Sequence, residues 1–69
     1  MPKNFVKFYV VTTKTKNFSS TCIFYGLASV KRYLRDWDCK FDNGIFVDNE
    51  FVELTNKHND KFIVEVAAE

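Results

Sequence analysis

Glycine is scarce in this chain of 69 residues: only Gly26 and Gly44 occur, and neither sits in a glycine-rich run that would cradle a phosphate. Nucleotide-dependent chemistry therefore has no support in the sequence. Histidine is scarcer still. His58 is the only one, in the polar stretch Asn56-Lys57-His58-Asn59-Asp60, and nothing nearby supplies a nucleophile or a group to orient it as a base. The two cysteines, Cys22 and Cys39, lie seventeen positions apart with no C-x-x-C pair, so no metal set can be drawn. No cofactor, metal or catalytic residue is expected, and the chain reads as a non-enzyme. The carboxylates at Asp36, Asp38, Asp42, Asp48, Glu50 and Glu53 fall in turns and at solvent-facing strand positions. They lack the shaped cleft that acid/base pairs need.

Net charge is nearly absent too. Ten Lys and Arg against nine Asp and Glu leave +1, so any charge-led binding must come from local patches rather than from a global field. No apolar run approaches the roughly 18 to 20 residues that cross a bilayer, and the first sixteen residues lack the apolar segment of a secretory leader. A cytoplasmic protein without membrane contact is the expectation. In that compartment Cys22 and Cys39 are expected as free, partly buried thiols.

What the chain has in quantity is apolar and aromatic side chain: 46% hydrophobic residues, with eight Phe, three Tyr and one Trp. That composition excludes disorder. At this length there is one core and one domain, spanning residues 1–69. Such a domain buries only about 60% of the surface its unfolded chain exposes. With neither a metal nor a required disulfide, a homodimer through a sheet edge or face would supply the missing burial.

The run Asn4 to Thr13 is rich in β-branched and aromatic residues and predicts a strand. Its even positions, Val6, Phe8 and Val10, form a wholly apolar face. The odd positions, Phe5, Lys7, Tyr9, Val11 and Thr13, are mixed. A polar break at Lys14 to Asn17 precedes Phe18 to Tyr25, which fits the second strand of a hairpin. A rival reading starts a long helix at Ser19 or Ser20, because Ile23, Leu27, Val30, Leu34 and Trp37 recur at heptad-like spacing. Gly26 opposes it, at about 1 kcal/mol in a helix interior. From Leu27 to about Asp38 the stripe Val30, Tyr33, Leu34, Trp37 predicts one amphipathic helix, with Ser29 as a candidate N-cap for a shorter version. Trp37 is expected to anchor it to the sheet.

Asn43-Gly44 marks a reversal and suggests a short third strand around it, with a second reversal at Asp48-Asn49. Glu50 to Thr55 alternates as a strand, Asn56 to Asp60 is a loop, and Phe62, Val64 and Val66 alternate with Ile63 and Glu65 in a last strand. The predicted fold is α+β: a small antiparallel sheet, order β-β-α-β-β-β along the chain, with one helix packed on one face.

One helix covers one side of such a sheet, so the other side is left for water or a partner. If the apolar even face of the first strand meets the helix, Phe5, Tyr9 and Val11 lie on the uncovered side as a partner-binding surface. On the helix, Lys31, Arg32 and Arg35 fall on one outer arc at 100° per residue. That arc would steer a partner or, if Arg32 and Asp36 pair at i, i+4, would simply be a solvated face. In general character, a very short Lys/Asn/Phe-rich domain with no catalytic motif resembles the small accessory proteins that bacteriophages and other mobile elements encode to bind and redirect host proteins. The resemblance implies a protein-binding module that inhibits or modulates a larger host protein by occluding a surface. The alternative is a small nucleic-acid-binding domain that uses the basic arc and stacks bases on sheet aromatics. Against close kinship with RNA-binding sheets, only one helix is visible and no RNP1-like run occurs.

Overall fold

A computed structural model describes residues 7–46 and 50–68. The elements in chain order are β1 (Lys7–Lys14), β2 (Ser19–Phe24), α1 (Leu27–Asp36), a short 3-10 turn (Asn43–Phe46), β3 (Phe51–Thr55) and β4 (Lys61–Ala68). The four strands make one antiparallel sheet in the order β2-β1-β4-β3, with the single helix packed against it. Two hairpins are thus joined through their longer strands. The connection from β2 through α1 crosses the sheet to reach β3 at the far edge.

The segment from Ser19 to Phe24 is strand and not the start of a longer helix. Gly26 marks the boundary: it is the helix N-cap, in extended conformation, and its carbonyl accepts hydrogen bonds from the Ser29 and Val30 N–H groups at 3.2 and 3.3 Å. Ser29 therefore lies inside the helix rather than at its cap. In the hairpin before it, Thr15 closes the turn, its hydroxyl oxygen accepting from the N–H groups of Asn17 and Phe18. This is a local side-chain substitute for a backbone turn.

The helix stops at Asp36, two residues before the sequence-based end, because the chain adopts a Schellman ending. Asp38 takes a positive φ of 58°. Its N–H then donates to the Arg35 carbonyl, and that of Cys39 to the Leu34 carbonyl, both at 2.9 Å. This turn drops Cys39 into the core beside Leu34. The expected short third strand is instead the 3-10 turn, which tucks Phe46 into the core with Phe41 against it, ring centroids 5.5 Å apart. Asn43-Gly44 opens that turn rather than a hairpin. The reversal expected at Asp48-Asn49 lies outside the described residues.

The phase of β1 is the reverse of the sequence-based expectation. Val11 and Thr13 have no solvent exposure, and Tyr9 has 9%. These odd positions face the helix, while Phe8 and Val10 are half-buried on the other side. The cause is the register with β4. Val11 pairs with Val64 and Thr13 with Phe62, whereas Val10 pairs with Glu65. Residues directly opposed across a ladder share a face, and a face that carries Glu65 cannot be the dry one. Thr13 is tolerated at the core because its hydroxyl shares a 2.7 Å hydrogen bond with the Tyr33 hydroxyl, which removes the cost of burying it unpaired.

Above the sheet, α1 buries Val30 and Leu34 completely, each worth about 1.5–3 kcal/mol relative to exposure. Tyr33 and Trp37 place their rings edge-on to Phe62, centroids at 6.5 and 5.8 Å, and Phe24 meets Tyr33 at 5.2 Å. Trp37 is therefore the anchor between helix and sheet that its place in the stripe implied. The β3–β4 loop is fastened to the same region by Asn56, itself buried. Its amide nitrogen donates to the Trp37 carbonyl at 2.7 Å and to an Asp60 carboxylate oxygen at 3.1 Å. Its amide oxygen accepts from the His58 and Asp60 N–H groups at 2.9 Å each. One side chain thus holds the loop in shape and ties it to the helix end.

Candidate interaction surface

No element among the described residues covers the sheet face opposite the helix. Register places its side chains in rows. Ile23, Val10, Glu65 and Phe51 cross the sheet in one row, and Thr21, Thr12, Ile63 and Glu53 form the next. Phe8 and Ala67 extend it at one end, where the Tyr25 ring lies 5.9 Å from that of Phe8. Lys14 and Lys61, with Ser19 and Thr55, close the other end. Apolar residues are therefore gathered at one end of the face and polar ones at the other. Ile23, Phe51 and Tyr25 are 56%, 59% and 70% exposed. Exposed apolar side chains gathered on one face in this way differ from single scattered ones.

Charge on this face is sparse and placed with some order. Glu53 and Lys61 form an exposed pair at 3.7 Å, of the kind that contributes little to stability. Glu65 stands inside the apolar rows between Val10 and Phe51. Its carboxylate makes no ion pair among the described side chains. An incoming surface that buries Val10 and Phe51 must therefore also meet a carboxylate.

The residues expected to bind a partner divide between places. Tyr9 and Val11 are in the core under the helix, so the reading that put them on the open face is corrected. Phe5 lies outside the described residues. The face itself is there, built from Phe8, Val10, Ile23, Phe51 and Ile63 instead. The signal for it was available in the alternation of Phe62, Val64 and Val66 against Ile63 and Glu65, which sets the phase of every strand once β1 and β4 are paired.

On the helix, Arg32 and Arg35 are exposed and Lys31 is half-buried. Arg35 leans toward the helix end, its guanidinium carbon 5.8 Å from the centre of the Phe41 ring. No ion pair between Arg32 and Asp36 is present among the described residues. Arg35, Lys40 and Lys57 line an open groove of about 530 Å³ beside Cys39. The same groove contains Asp38, 4.0 Å from both the Lys57 ammonium and His58 Nε2. Its cations are thus partly offset.

Cys22 and Cys39 are both free thiols, the first half-buried and the second buried. Burial pushes the Cys39 thiol pKa up from its ordinary value, which makes it a poorer nucleophile at neutral pH. Among the described residues no group of three or more His, Cys, Asp or Glu side chains could hold a metal ion. No helix among them is long and apolar enough to cross a membrane. Comparison with known proteins found no matching family model, no matching curated protein and no matching solved structure.

Proposed function

We propose that this chain is a non-enzymatic protein-binding module that lays its uncovered sheet face on a larger host protein and inhibits or modulates it by occluding the surface beneath. The observation that carries the reading is the open apolar area around Val10, Ile23 and Phe51, with Glu65 set within it. Apolar contact area supplies the affinity. A carboxylate surrounded by apolar side chains supplies the selection, because once desolvated it must be met by a cation or a hydrogen-bond donor. The expected partner surface is therefore apolar with a Lys or Arg at its centre. Nucleic acid is the weaker reading, since the two carboxylates Glu53 and Glu65 offset the two cations Lys14 and Lys61 on this face, which leaves no excess positive charge there among the described residues to hold phosphates.

The test is capture from host lysate with the tagged parent, a Phe51→Ser variant and a Glu65→Lys variant, each with and without nuclease. Both substituted positions are exposed, so the variants should fold, as circular dichroism would check. The expected result is a stoichiometric partner held by the parent and lost from both variants. Equal recovery on all three, or a partner that nuclease removes, would overturn the reading.

A further inference from the structure

The two edges of the sheet differ in a way that bears on self-association. The β3 edge is five residues long, carries Glu53 and is preceded by Glu50. The β2 edge, Ser-Ser-Thr-Cys-Ile-Phe, has no charged residue, no proline and no glycine. It pairs one-for-one with β1 from Tyr9↔Phe24 to Lys14↔Ser19, so no bulge bends it away. Protein sheets ordinarily guard a free edge with charge, proline, a bulge or a covering element, because its unpaired N–H and C=O groups accept another strand. In addition, three of the four large apolar side chains most exposed among the described residues, Phe18, Ile23 and Tyr25, lie on β2 or immediately beside it.

We infer that β2 is the seam of a homodimer, pairing antiparallel with β2 of a second copy so that two four-stranded sheets become one of eight. A second copy is the occupant that the charges favour. Across a two-fold axis any charged residue near the axis faces its own image and repels it, and β2 has no charge to repel. If both helices lie on the same side of the joined sheet, opposed residues must share a face. The register centred on Cys22 meets that condition, overlaps Ser20 to Phe24 with their images, and sets Ile23 against Thr21 of the partner subunit. Cys22 then faces Cys22 of the partner subunit across the axis. This seam meets the docking area proposed above at Ile23, but that area is tested at Phe51 on β3 and Glu65 on β4, away from β2, so either can fail alone.

The geometry provides its own reporter. Mild oxidation with a copper-phenanthroline oxidant, which takes up the two electrons and releases the two thiol protons, should link two chains through Cys22. Cys39, at 3% exposure, should stay unlinked. Sedimentation should show a concentration-dependent dimer that persists in Cys22→Ser and is lost in Thr21→Lys, an exposed position on the same strand. A chain that stays monomeric at the highest accessible concentration, a dimer that survives Thr21→Lys, or a dimer in which Cys22 does not link would each overturn the seam.

Discussion

Adjacent valines in β1 offer a direct test of which sheet face is dry. Val11 has no exposure and is enclosed by core neighbours, whereas Val10 is half-buried on the open side opposite Glu65. Truncating Val11 to Ala removes two carbons from a packed interior. The transfer loss is about 0.8 kcal/mol per carbon. With a cavity contribution added, the total cost is about 2–3 kcal/mol. Val10→Ala removes the same atoms from a site that water already reaches, and should cost less than about 1 kcal/mol. For a domain this small each kcal/mol moves the melting temperature by about 4–8 °C, so the two variants should separate clearly in a thermal melt followed by circular dichroism. Equal losses would mean that both faces are covered. A larger loss at Val10 would mean that the helix sits on the even face, and the docking surface proposed here would have to be redrawn.

Other consequences are as specific. Asn56→Ala removes the bond that joins the β3–β4 loop to the Trp37 carbonyl and the two that the amide oxygen accepts from the His58 and Asp60 N–H groups, leaving partly buried groups unpaired. It should destabilise the domain by about 2–3 kcal/mol in urea unfolding, and a loss within error of zero would show that water replaces the amide. A thiol reagent applied to the folded protein at neutral pH should label Cys22 well before Cys39. Because burial raises the Cys39 pKa above 9.0, the unfolded chain gives up this proton first as pH rises. The stabilisation from that group is complete below the ordinary thiol value and is lost as pH climbs through the folded value. Chemical denaturation in Cys39→Ala should lack that alkaline decline, although the variant is less stable at every pH.

Much of the fold could be read from the chain because its signals were local. The stripe of Val30, Leu34 and Trp37, the alternation of Phe62, Val64 and Val66, and the break at Gly26 each report on a few neighbouring residues. The phase of β1 was not local information. Val6, Phe8 and Val10 look drier than Tyr9, Val11 and Thr13 when read alone, and the order is reversed only by pairing Val10 with Glu65 and by the Tyr33 hydroxyl that satisfies Thr13. The candidate site inherits that reversal: one helix on one sheet implies an open face, but the local pattern of β1 points to Tyr9 and Val11 as its residues, and these are buried. The 3-10 turn at Asn43–Phe46 escaped for a similar reason. Asn-Gly is at home in a hairpin, and here the burial of Phe46 decides the conformation instead.

Whether the open sheet face meets the partner can be read from amide chemical-shift mapping. Isotope-labelled protein would be titrated with the captured partner, following the amides of β1, β3 and β4 alongside those of α1. Docking through this face should concentrate the shifts at Val10, Phe51, Ile63 and Glu65, with Arg32 and Arg35 little changed. Shifts confined to the helix arc, with the sheet silent, would contradict it.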